Sequence, residues 1–151
     1  MKLRALVGSG DKIGLLALPF VVVGLALNLW RPAIFAVGGP PTALAIVSLV
    51  CLVPGVTIWA WSVLLILTKV PRGELITTGP FALCKHPLYT GVALLVVPWV
   101  GFLLDSWLGA LIGAVLYIGS RLYAPLEERA LAKELGPAWD AYCRKVLLPW
   151  L

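Results

Sequence analysis

A chain of 151 residues that is 61% hydrophobic, only 13% charged and carries a net charge of +5 is not an ordinary water-soluble domain, which averages about 25% charged residues. The composition fits one membrane-embedded domain, residues 1–151, and the basic excess is explained by topology and contact with anionic membrane lipids. No nucleic-acid partner is expected, because the Lys and Arg residues are not interleaved with exposed aromatics and form no known module.

Four apolar runs, roughly 13–30, 42–67, 88–104 and 107–123, hold almost no charge. Each is long enough for a helix to approach or cross a hydrocarbon core ~30 Å thick at a rise of about 1.5 Å per residue. The expected fold is therefore an all-α integral membrane protein of about four transmembrane helices, with a tight C-terminal helical hairpin and cytoplasmic C-terminal helices. Lys2 and Arg4 precede the first run as they would in a signal peptide. However, its apolar part is longer than the roughly 7–15 residues of an h-region, and Leu29-Trp30-Arg31-Pro32 follows it with no small-x-small site, so it reads as a retained span. Of the twelve basic residues only Arg31 falls on the far side of the predicted spans. Both termini and the 68–87 loop should accordingly face the cytoplasm, in a bacterial inner membrane or its equivalent. Cys51, Cys84 and Cys143 form no C-x-x-C pair, and reduced thiols are expected.

In chain order, Gly8-Ser9-Gly10 lacks the strand and the third glycine of a phosphate loop. The first run contains Pro19 and Asn28, the only amide side chain in any span, which should make an interhelical hydrogen bond near the outer surface. Residues 31–41 form an outer loop. Pro54-Gly55 should kink or break the second span, and Trp30 and Trp107 suit an outer aromatic belt. The segment Thr68–Lys85 is too rich in Pro and Gly to be one helix, and Pro87 suits the first turn of the third span. Asp105-Ser106 alone separates the third run from the fourth, so the two must form an antiparallel hairpin, with either residue free to cap the following helix. After Pro125 a short amphipathic helix should run to Leu135 and stop at Gly136-Pro137. A second helix would then carry Trp139, Tyr142, Cys143 and Val146 on one face, lying on the membrane surface or closing over a site.

The tight turn sets the level of every residue in the hairpin. If Leu104 and Trp107 are opposite each other, His86 lies near Pro125, and Glu127 and Glu128 are only ~3–4.5 Å further along the axis. Gly109, Gly113, Tyr117 and Arg121 recur every four residues. The two glycines allow close helix approach, and Arg121 at the end of the stripe is expected to point toward residues 86–91. Neither Glu127 nor Glu128 has a basic residue three or four positions away, so neither has a helical ion-pair partner. An imidazole, two locally unpaired acids and an arginine at one end of a hairpin are a candidate site. No metal-ligand cluster is read.

Gly79-Pro80, then Lys85-His86-Pro87-Leu88-Tyr89-Thr90-Gly91, then Glu127-Glu128-Arg129-Ala130-Leu131, Gly136 and Tyr142 resemble the C-terminal half of the isoprenylcysteine carboxyl methyltransferases and their relatives, the phospholipid N-methyltransferases. The resemblance covers about residues 75–148. It implies S-adenosylmethionine as methyl donor, bound near the cytoplasmic surface, and a lipophilic or lipidated acceptor arriving from the bilayer. Carried over by position, His86, Tyr89, Gly91, Glu127 and Glu128 match residues associated with the cofactor, and Lys85, Pro87 and Tyr142 belong to the same motifs. Lys85 stands where arginine is usual and Trp139 where a tyrosine is common. A lysine offers an anion a point charge instead of a bidentate fork.

Methyl transfer from a sulfonium is an in-line displacement, helped mainly by positioning and exclusion of water. Glu127 or Glu128 suits an ammonium or ribose hydroxyls. Lys85, His86 or Arg121 suits a carboxylate, and Arg121 and Glu128 are the expected catalytic pair. A carboxylate acceptor needs no general base, whereas a protonated amine must first lose a proton. The expected function is S-adenosylmethionine-dependent methylation, most like isoprenylcysteine carboxyl O-methylation. The alternatives are methylation of a phospholipid or other lipophilic amine or thiol, or a non-enzymatic four-span protein or small transporter, although none of the runs has an ionisable residue at its centre. A nucleophilic role for Cys84 would rest on His86 alone as its base.

Overall fold

The computed structural model describes residues 9–150; Lys2, Arg4 and Gly8 lie outside them. The chain forms helix α1 (Gly10–Trp30), helix α2 (Pro41–Lys69), a single turn α3 (Pro80–Leu83), then α4 (Pro87–Gly91), a π turn at Val92–Val96 and α5 (Val97–Leu103) in one continuous rod, and finally α6 (Leu108–Leu135) and α7 (Pro137–Lys145). Among the described residues no strand forms beyond one isolated bridge between Ala36 and Ser106.

Three helices, α1, α2 with its 3-10 extension to Arg72, and α6, are long and apolar enough to cross a membrane. The Pro87–Leu103 rod is apolar but shorter, about 25 Å at the helical rise. Their surfaces invert the pattern of a soluble protein. Leu15, Val22, Val50 and Leu64 are all more than half exposed, while most buried positions within the helices are small, among them Ala17, Ser48, Ser62 and Ala93. In lipid, apolar side chains gain nothing by hiding from the solvent, so helices associate where small residues let backbones approach. The order across the molecule follows: α1 packs on α6, α6 on the α4–α5 rod, and that rod on α2.

Glycines make these crossings. A Cβ on Gly109 would meet the backbone of Val97 and Gly101, and one on Gly113 would run into the carbonyl oxygen of Ala93. On the other side of the rod, a Cβ on Gly55 would lie 2.6 Å from Leu95 Cβ. Pro54 therefore does not break α2, which runs unbroken past it with the adjacent glycine pressed against the rod. The π turn has a local cause. Pro98 has no N–H for the Leu94 carbonyl, and the N–H of Val97 reaches back five residues to Val92.

The α5–α6 turn is tied to the outer loop. Asp105 adopts φ 54° and its carboxylate accepts from Gly38 N–H at 3.0 Å; the helix that follows is not capped by its side chain. The Ser106 hydroxyl donates to Asn28 Oδ1 at 3.2 Å, an interhelical partner for the oxygen of the lone amide. Trp107 does more than anchor: its indole N–H donates to the Ile34 carbonyl at 3.0 Å and its ring packs on Phe35.

At the opposite end α6 does not stop at Pro125. It continues as one helix to Leu135, where a separate amphipathic helix was expected. Neighbouring elements can satisfy the carbonyl that a proline leaves free, so such a residue need not end a membrane helix. Gly136, at φ 53°, ends it. The apolar face of α7 then turns inward, with Trp139, Tyr142 and Val146 buried against Leu75, Leu131 and Leu135.

Candidate functional site

The site is built where α4 begins. His86 precedes the helix at φ −126° and ψ 58°, Pro87 occupies its first position, and the Thr90 N–H donates to the His86 carbonyl at 3.0 Å. This places Lys85, His86 and Tyr89 against the last two turns of α6, beyond the apolar stretch that ends near residue 123. Lys85 Nζ lies 2.6 Å from Glu128 Oε2 and His86 Nε2 3.1 Å from Glu128 Oε1. An ionised carboxylate only accepts, so that imidazole nitrogen carries the hydrogen. The hydrogen bond from His86, followed by the Lys85 ammonium, holds the Glu128 carboxyl down to about 2 against an ordinary value of 4.5.

Glu127, one residue earlier and about 100° around the helix, lives differently. Among the described residues no cation pairs with it. Its Oε2 is 3.5 Å from the Tyr89 hydroxyl, and burial pushes its carboxyl above the ordinary value. The Ser9 hydroxyl, which donates to the Tyr123 carbonyl at 3.3 Å, is also within reach of the Glu127 carboxyl. The His86 and Tyr89 rings stack with centroids 5.9 Å apart. Each carboxylate thus has its own partners around the start of α4.

These residues form the polar end of a cleft of about 850 Å³, its open mouth included. Lys85, His86, Pro87, Tyr89, Glu127 and Tyr142 line it together with Glu74 at its rim, and Ile66, Leu88, Leu131, Leu135 and Trp139 supply apolar walls. A few convergent polar groups on otherwise apolar walls are typical of small-molecule sites. Tyr142 closes one side: its hydroxyl donates to the Phe81 carbonyl at 2.8 Å. The N–H groups of Leu147 and Leu148 bond to the carbonyls of Ala82 and Leu83. Burial raises both the Tyr142 phenol and the Cys84 thiol above their ordinary values, so Cys84 is a resting thiol and not an activated nucleophile.

Three expected residues sit elsewhere. Arg121 is exposed and donates to the Trp150 carbonyl at 2.6 Å, outside the cleft. Each i to i+4 step overshoots a turn by about 40°, so three steps from Gly109 swing Arg121 about 120° off the packing face. Gly91 is buried against Ile58 of α2, where a Cβ would come within 3.4 Å; its place is helix packing. Glu128 grips Lys85 and His86 but does not line the cleft. Conversely, Glu74 lines it without having been singled out for it, and Ser9 and Gly10 stand beside it because α1 packs along α6, which no local motif announced. Among the described residues no group of three or more His, Cys, Asp or Glu is placed to hold a metal ion. Compared with known proteins, the chain matches no family model, no curated protein and no solved structure.

Proposed function

We propose that the protein is an integral membrane methyltransferase of four spans, with both termini and the cleft on the cytoplasmic side, that moves a methyl group from S-adenosylmethionine to a lipophilic acceptor. The observation that carries this reading is the Lys85–His86–Glu128 cluster beside Glu127, which has no cationic partner among the described residues, at the polar end of an otherwise apolar cleft. The residues fit the cofactor's charges. The Lys85 ammonium has three N–H donors and Glu128 engages one, leaving two for a carboxylate. Glu127 and the rim residue Glu74 offer acceptors for an ammonium or ribose hydroxyls, and the faces of Trp139 and Phe81 suit a flat ring.

When bound, the sulfonium supplies an activated methyl group. The chain's own contribution is placement and dryness: Tyr142 and the C-terminal strap hold α7 over the cleft, and the walls from Ile66, Leu131 and Leu135 accept an apolar chain while excluding water. Glu128 keeps Lys85 and His86 in register for binding.

The test is binding in detergent. A ligand present at about 100 times its dissociation constant stabilises the fold by about 2.7 kcal/mol. S-adenosylhomocysteine should therefore raise the melting temperature of the wild type, and Glu128→Ala should lose that response. A wild-type protein that S-adenosylhomocysteine leaves unmoved is no methyltransferase of this kind.

A further inference from the structure

The rod that carries His86 and Tyr89 is not one regular helix. Between its site end, α4, and its anchored end, α5, the π turn sends the Val97 N–H back five residues to Val92, so it takes up one residue more than an α turn holds. Each residue of an α-helix advances it by about 100°. Counted back from α5, a rod without the turn would bring Pro87 to the place of His86, Thr90 to that of Tyr89 and Val92 to that of Gly91. Glu128 would then lose the imidazole and Glu127 the phenol. On the opposite flank a valine would press on α2, where even a lone Cβ on Gly91 lies 3.4 Å from Ile58. Both flanks require the surplus residue.

The turn is also held in place. Toward α5, Gly101 and Gly109 meet backbone to backbone. A Cβ on Gly113 would meet the Ala93 carbonyl and the Pro98 ring, and one on Gly55 would meet Leu95, so α6 and α2 both close on the turn. The Val97 N–H passes over the Ala93 carbonyl to reach Val92, and Pro98 has none to offer it. That carbonyl rests on the backbone of Gly113, where a Cα–H is a weak donor.

We propose that the π turn is the positioning device of the site: its surplus residue sets the angle at which His86 and Tyr89 meet Glu128 and Glu127. The inference rests on the geometry of the rod and not on the reaction proposed above. Such turns are rare and frequently accompany functional sites.

The lone histidine gives a direct test. The full-length protein, labelled with nitrogen-15 at histidine and held in detergent micelles, yields the imidazole signals of His86 alone. In the wild type Glu128→Gln should move them, because the carboxylate that meets Nε2 is gone. Deleting Leu94, an exposed position, makes the π turn an α turn and leaves His86 where it is, whereas inserting one alanine after Leu94 swings α4 by about 100°. The deletion protein should therefore keep the response to Glu128→Gln and the insertion protein should lose the response or the fold. In a regular helix the two changes would rotate α4 equally in opposite senses and do equal harm. Pro98→Ala added to the deletion restores the N–H that a regular helix uses, and should raise its melting temperature. A deletion that costs the response or the fold even with Pro98→Ala overturns the proposal. So does an insertion that keeps the response, or a wild type whose imidazole ignores Glu128→Gln.

Discussion

Glu127 and Glu128 are adjacent and chemically identical, yet their surroundings separate them. Glu128 is gripped by His86 and Lys85 and held at about 2, so its ionised form is favoured more in the fold than in the unfolded chain. That contribution to stability is fully present above the ordinary value of 4.5 and drains away as pH falls from there toward about 2. Thermal melts in detergent across this window should show a steep loss for the wild type. Glu128→Gln should be less stable by about 1–3 kcal/mol near neutrality and nearly flat through the same window. A mutant as pH-sensitive as its parent would show that other carboxyls carry the transition. This pairing was only half legible in the sequence. Level along the hairpin brought His86 to within about three residues of its partner, but nothing local says which of two neighbouring acids pairs with the imidazole and which lines the cleft.

Among the elements, α6 repays the closest attention. Its G-x-x-x-G stripe announced the close approach correctly, because a four-residue repeat stays on one face for two turns. Extended to Arg121, the same rule failed, because the angular drift of that repeat accumulates. The glycine crossings give a sharp contrast in cost. Gly113→Ala pushes a methyl group into the Ala93 carbonyl oxygen and the Pro98 ring, backbone and ring atoms that cannot step aside, and should cost about 2–3 kcal/mol. Gly14→Ala in α1 meets nothing within 4 Å and should be neutral or stabilising by up to about 1 kcal/mol. Unfolding of the two variants in mixed micelles separates these outcomes, and equal stabilities would deny the close contact. The prolines were harder to read. The helices run on past Pro54 and Pro125, since a proline removes a single hydrogen bond from a long helix whose other bonds persist.

On the scale of the whole molecule, hydropathy alone revealed an all-helical chain with long apolar rods, because helices without water at their flanks need little more than length and apolarity. The lateral order was not legible: interhelical contacts are made by small residues, and small residues do not announce their partners. Sidedness belongs to the proposal and has a direct check. In a Cys143→Ser background, right-side-out vesicles exposed to a membrane-impermeant maleimide should label Gly38→Cys at once and Arg72→Cys only after permeabilisation. Labelling of both from one side would refute the proposed topology.

The unbroken course of α6 past Pro125 has a mechanical consequence. At 28 residues it is about 42 Å long, some 12 Å more than a bilayer's hydrocarbon thickness, and Glu127 and Glu128 lie where the overhang begins. A stiff beam anchored in lipid at one end and holding half of a pocket at the other behaves as a lever. Thicker or thinner bilayers change the tilt of such helices, so the gap between the two acids and the start of α4 becomes tied to the lipid composition around the protein. On the proposed reading, acyl-chain length in reconstituted vesicles should then change the affinity for S-adenosylhomocysteine.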